Sequence, residues 1–144
     1  MLTNDLQINV VGGAIAAANN TNNTSDVIDL STLDGVLFSA LITGSATNGV
    51  AKLKIETSDS PTGTFTDGGV VATATDSTTT GNALAGKLLI AEVGAPVKRY
   101  VRARRQSATG NIAFGHLLAI AYGQGRRPVA DGAAVAAATH VTGV

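Results

Sequence analysis

Cysteine and tryptophan are absent from this sequence, and charged and aromatic side chains are scarce. Without thiols, neither disulfides nor thiolate–metal sites can support the fold, and a cysteine nucleophile is excluded. Three Phe and two Tyr are too few to build a stacking platform for bases, and a sugar platform would have to rely on Tyr100 and Tyr122. No run of about 18 apolar residues occurs, so no membrane-spanning helix is expected. The first residues do not read as a secretory signal, because Asp5 stands where positive charge is needed and Gln7, Asn9 and Gly12-Gly13 interrupt any apolar stretch. The Asn-x-Ser/Thr triplets at Asn19, Asn22 and Asn23 then read as a polar loop.

What remains is a chain of small residues, with Ala, Gly, Thr and Val supplying much of its length. Helix surfaces draw on Glu, Lys, Gln and Arg, whereas Thr and Val are stiff at χ1 and suit pleated surfaces, so the composition points to an all-β fold. The length suits one domain with one core. Formal charge is zero, but its order along the chain is uneven. Residues 1–76 hold eight acids against Lys52 and Lys54, a net −6, and the remainder carries the opposite +6. Either strands of the two halves interleave and mix these charges in space, or the molecule is polar with a basic docking face.

Alternation of period two is clearest at Ala51–Thr57, which sets Lys52, Lys54 and Glu56 on an expected wet side and Leu53 and Ile55 in the expected core. A second alternation places Ile112, Phe114, His116, Leu118, Ile120 and Tyr122 on one face, with Leu118 and Ile120 expected in the core. Further strands are expected at Leu6–Val11, Val27–Leu30, Val36–Thr43, Val70–Thr75, Leu88–Val93 and Val97–Arg105, separated by Gly-, Ser-, Asn- and Pro-containing turns. The total of about eight short strands is the pattern of a single β-sandwich or jelly-roll-like domain. The apolar run Val36-Leu37-Phe38 with Ala40-Leu41-Ile42 predicts a central strand buried on both faces. Residues 1–23 are expected to form an N-terminal strand and arm, 24–127 the sandwich, and 128–144 a C-terminal arm. The arm beyond Pro128 carries Val129, Val135, Val141 and Val144 as its sizeable apolar groups. These bury too little to offset ordering costs of about 1–2 kcal/mol per residue, so the arm is expected to lie on another subunit, and Gly12–Asn23 likewise.

No constellation of catalytic residues emerges. His116, on the face of Phe114 and Leu118, reads as a core or interface histidine, His140 lacks an acid or second ligand at a recognisable spacing, Gly-x-Ser-x-Gly is absent, and the aspartates follow no calcium-loop spacing. Loop aspartates such as Asp59, Asp67 and Asp76 are expected to cap turns. Gly123-Gln124-Gly125-Arg126-Arg127 lacks the following Gly or Lys-Ser/Thr of a phosphate loop. No cofactor or metal is expected. The informative stretch is Lys98–Arg105, where a strand would set Lys98, Tyr100, Arg102 and Arg104 on one face. Such a face can be a solvated surface with ion pairs or an Arg-rich protein interface. Nucleic acid is disfavoured by zero net charge and the lack of stacking aromatics.

Four segments carry a resemblance: Lys54–Asp59 followed by Gly63–Asp67, Lys98–Arg102, and a last apolar strand closing in Tyr122-Gly123-Gln124-Gly125-Arg126-Arg127-Pro128-Val129. Over Lys52–Val129 the chain resembles the small β-sandwich structural proteins of tailed bacteriophages, including capsid cement, or decoration, proteins. The resemblance implies a non-enzymatic subunit, often trimeric, that sits on the outer shell and clasps the major capsid protein with extended termini. It carries over no catalytic residue. On this reading the partners are the major capsid protein and further copies of the chain, without membrane or nucleic acid. The contact candidates are Lys98, Tyr100, Arg102, Arg104, Arg126, Arg127, Val129, Val135 and Val141. A tail or head-completion component and a carbohydrate- or host-surface-binding sandwich are the alternatives.

Overall fold

A computed structural model describes residues 6–94 and 98–123, and among these every regular element is a strand. The strands are β1 (Leu6–Gly12), β2 (Ile15–Ala18), β3 (Asn22–Thr24), β4 (Ile28–Asp29), β5 (Gly35–Ser45), β6 (Val50–Ser58), β7 (Thr66–Thr75), β8 (Leu88–Gly94), β9 (Tyr100–Ala108) and β10 (Ile112–Tyr122). They form two antiparallel sheets. Sheet A runs β1-β10-β5-β8 with β2 also on β10, and sheet B runs β3-β9-β6-β7 with β4 also on β9.

β1 pairs with Leu117–Tyr122 and β2 with Ile112–Phe114, so together they make one interrupted edge strand. β3 and β4 divide β9 in the same way. Ten segments therefore occupy eight strand positions, four per sheet. Apart from the β6–β7 hairpin, the chain changes sheet at each connection between positions. Two sheets interleaved in this order are a jelly roll, and the all-β sandwich expected from composition is the observed fold.

The core lies between the sheets and is built by alternation. β5 contributes Val36, Phe38, Ala40 and Ile42, β6 contributes Ala51, Leu53 and Ile55, and β9 contributes Val101 and Ala103, all fully buried. Asp76, also fully buried, fastens the long β7–β8 connection to β5. Its Oδ2 accepts from Ser45 Oγ (2.6 Å) and the Ala83 N–H (2.9 Å), and its Oδ1 accepts from the Thr78 N–H (3.0 Å) and Thr78 Oγ1 (2.5 Å). This is the turn-capping role expected for it, taken into the interior. Four donors hold its carboxyl well below the ordinary aspartate value.

Three expectations need correction. On β10, Phe114 faces Ile42 and Leu117 faces Ala40, so Gly115 and His116 together oppose Leu41. This β-bulge shifts the alternation by one residue. Beyond it Leu117, Ala119 and Ala121 point inward, Leu118 and Ile120 are half-buried on the outer face, and His116 is exposed. β5 is central, but it is buried on its inner side only, and Leu41 remains 36% exposed on the other. Within Gly12–Asn23, expected on another subunit, β2 and β3 pair with the chain's own β10 and β9. Edge pairing is made by backbone groups and tolerates small side chains, so a shortage of large apolar residues did not prevent it. The C-terminal arm lies outside the described residues.

Candidate interaction surfaces

The outward face of sheet B is charged, and most of its charges are paired within it, although Arg104 Nε is buried without an acceptor. Register places Glu56 opposite Arg102 and Lys54 opposite Arg104. Glu56, only 6% exposed, accepts a hydrogen bond from Arg102 Nε at 2.8 Å and forms an ion pair with Arg104 Nη2 at 2.7 Å. The Arg102 guanidinium stacks 4.3 Å from the Phe65 ring centroid, and Lys54 pairs with Asp67 at 2.5 Å. At the end of the strand Lys98 Nζ lies 3.8 Å from Asp59, and Tyr100 carries the Arg99 guanidinium 5.1 Å from its ring centroid. Arg99 grips Asp29 with two 2.7 Å hydrogen bonds and holds that carboxyl well below its ordinary value.

Lys98, Tyr100, Arg102 and Arg104 are thus brought onto one face as their spacing implied, and acids from the first half of the chain meet them there. The −6 and +6 halves mix in space, which is the first of the two arrangements the charge order allowed. Arg126, Arg127, Val129, Val135 and Val141 lie outside the described residues.

The outward face of sheet A is different in kind. Directly opposed residues of antiparallel strands share a face, and the rows across this sheet read Val10–Leu118–Ser39–Ile90, then Ile120–Leu37–Glu92, with Leu41 beside Leu88. Leu88 is 55% and Ile90 52% exposed. Glu92 is held by Tyr122, whose hydroxyl donates to Glu92 Oε1 at 2.8 Å across β5, and that acceptor raises the phenol's pKa. The crossing is open because residue 35 is glycine: a Cβ there would collide with the Tyr122 hydroxyl. Charge is therefore confined to one end of a largely apolar face.

The strand edges also differ. β1/β2 and β3/β4 are each broken into short pieces, and β7 is interrupted by a register shift opposite Lys54–Glu56 and by Gly69 at positive φ. Short, bulged edges resist pairing with other chains. Among the described residues β8 runs unbroken from Leu88 to Gly94 and pairs with β5 alone, with no lysine, proline or bulge within it. Sequence reasoning missed this surface, although the apolar runs Val36–Phe38 and Leu88–Ile90 were its signal: both phases of the alternation are apolar in strands that have one open side.

Among the described residues no three of His, Cys, Asp and Glu gather as a metal-ligating group. No family model matches the chain, and no curated protein matches it. Weak structural similarities to solved structures include the following three. One is the Clostridium thermocellum endo-1,4-β-D-xylanase 10B CBM22-1–GH10 modules complexed with xylohexaose, at TM-score 0.46 and 15% identity over 89% of this chain and 28% of that one. The second is infectious bursal disease virus Gx strain, at TM-score 0.47 and 9% identity over 85% of this chain and 33% of that one. The third is Eiger TNF from S. frugiperda, at TM-score 0.38 and 6% identity over 83% of this chain and 98% of that one. The chain spans about a third or less of the first two.

Proposed function

We propose that this chain is a structural subunit of a virion shell, a cement or decoration protein that performs no reaction. It works by associating with copies of itself and with the major capsid protein. The fold alone selects no function, since jelly rolls serve capsid, lectin and cupin domains alike. The observation that carries the reading is the β8 edge, unpaired among the described residues, beside the exposed Leu41, Leu88 and Ile90. A long apolar edge of this kind pairs with another chain or aggregates. A second copy is its occupant, because the patch is apolar, its one acid is already engaged by Tyr122, and edge pairing joins two such faces into one surface. A single face of four strands and about five residues covers roughly 300 Å² in plane, well short of the ~800 Å² per partner of a standard interface. Self-association of one pair is accordingly weak, and repetition on a symmetric shell strengthens it by avidity.

The C-terminal arm, with Arg126, Arg127, Val129, Val135 and Val141, is assigned to the shell contact on the strength of the cement-protein resemblance. Quantifying this chain against the major shell protein in purified virions tests the role. A fixed ratio with many copies distributed over the shell is expected. A count matching a single ring would make it a tail or head-completion component, and absence from virions would remove the proposal.

A further inference from the structure

At the edge of the sandwich opposite β8, β9 sends Arg105 inward, where it is 3% exposed. Nη1 donates to the Gly115 carbonyl at 2.7 Å, at the bulge of β10, and the guanidinium stands 5.8 Å from the Phe114 ring centroid. Nε is buried without an acceptor. Among the described residues no carboxylate comes within 4 Å of this guanidinium, since every ion pair there lies elsewhere. Burial presses its pKa down, but an arginine stays charged at any pH the fold survives. A buried charge without a counter-ion is costly, and proteins rarely leave one so.

The guanidinium points to an opening. Residue 12 is glycine where a Cβ would sit 2.6 Å from Arg105 Nη2, so only glycine lets the fork extend this far toward the edge. There the interruption between β1 and β2 opens a cleft of 430 Å³, walled by residues 10–15, Asn23, Thr24 and Asp26, with Arg105 lining it. Beyond Val11 and Asp26 it continues into a second hollow of 350 Å³ along Gln7 and Asn9. The walls are strand edges and small or amide side chains. Asp26 lies in the same cleft, exposed, and does not reach the guanidinium.

We propose that this cleft binds a carboxylate, with Arg105 as its counter-ion. Nη2, beside Gly12 at the cleft wall, is the charged donor within reach of a carboxylate, and Nε, buried behind it, is left without an acceptor by the chain itself. The carboxylate comes from a free small acid or from an Asp or Glu side chain of an extended segment lying along the groove; the recognition chemistry is the same.

The test is NMR of arginine side-chain Nε–H groups in the full chain, with the Arg105 signal assigned by Arg105→Lys and binding read on wild type and Asp26→Asn. Sodium acetate is titrated against sodium chloride at equal ionic strength, followed by a short peptide containing one Glu and the same peptide with Gln. A saturable shift of the Arg105 signal with acetate and not chloride is expected, tightened several-fold by Asp26→Asn because a competing acid has gone. A Glu peptide that saturates at far lower concentration than acetate, with a silent Gln peptide, makes a polypeptide the source; equal responses to peptide and acetate make it a free acid. Absence of a saturable acetate response, an equal chloride response, or an Arg105 signal that moves on Asp26→Asn alone, which would make Asp26 the counter-ion, overturns the proposal.

Discussion

The two outward faces of the sandwich are built on the same pleat and reach opposite solutions. On sheet B, alternation sets Lys52, Lys54, Glu56, Arg102 and Arg104 on the outward face, and the register buries Glu56, expected wet, between two arginines. On sheet A, the outward phase of β5, β8 and β10 carries Leu37, Leu41, Leu88, Ile90, Leu118 and Ile120. A charged face whose acids and bases are mostly paired with one another has less to offer a partner than a half-exposed apolar face, which gains by being covered. On the proposed reading the interaction surface is the uncharged side, and the basic strand that stands out in the sequence serves mainly to pair with Glu56.

The sharpest test of this division is the bulge that separates inside from outside on β10. Leu117→Ala should cost about 2–5 kcal/mol, because Leu117 is fully buried, whereas Leu118→Ala should cost under about 1 kcal/mol in the monomer. Chemical denaturation of both variants measures the contrast, and the reverse order would show that the alternation runs through unbroken.

Glu56→Gln comes next. It leaves Arg102 and Arg104 without their carboxylate, and because both arginines keep about a quarter of their side-chain exposure, the loss should be about 2–3 kcal/mol rather than that of a dry ion pair. Unchanged stability by the same denaturation measurement would make sheet B a simple solvated surface.

Acid should loosen the fold through carboxylates of the loops and of sheet B. Asp76 is held below its ordinary value by its hydrogen-bond donors, and Asp29 chiefly by the hydrogen bonds of Arg99. Groups with depressed folded-state pKa values contribute stability that is complete above their unfolded value and is lost as pH falls toward the folded one. The denaturation midpoint should hold steady above about pH 5 and decline below the usual carboxylate range. Asp76→Asn should start lower and decline less steeply, and identical acid limbs would remove Asp76 from the account.

The fold was readable because two independent signals, composition and period-two alternation, agreed over most of the chain. The strand spans around Leu53, Val71, Ile90 and Ile120 correspond closely to β6, β7, β8 and β10. What escaped was whatever depends on pairing across strands. One extra residue at Gly115–His116 reverses which face Leu118 occupies, and nothing in a single strand's alternation marks it. β2 and β3 have too few large side chains to register as strands, because their hydrogen bonds to β10 and β9 are made by backbone. The basic residues of β9 were visible, but Glu56, forty-six positions before Arg102, became their partner only through the β6–β9 register. Arg105 shares its phase with Val101 and Ala103, and the pleat turns it inward with them.

The central claim is that sheet A, at its β8 edge, is where the protein meets another copy. Sedimentation equilibrium over a range of concentrations on wild type, Ile90→Lys and Lys52→Glu tests it directly. The account predicts that wild type forms species larger than the 14.4 kDa chain. It predicts that Ile90→Lys, which places a charge on the open edge with under about 1 kcal/mol of effect on the monomer's fold, is monomeric throughout. Lys52→Glu, on the other sheet, should associate like wild type. A wild type that stays monomeric at every concentration, or one that dissociates on Lys52→Glu and not on Ile90→Lys, would contradict it.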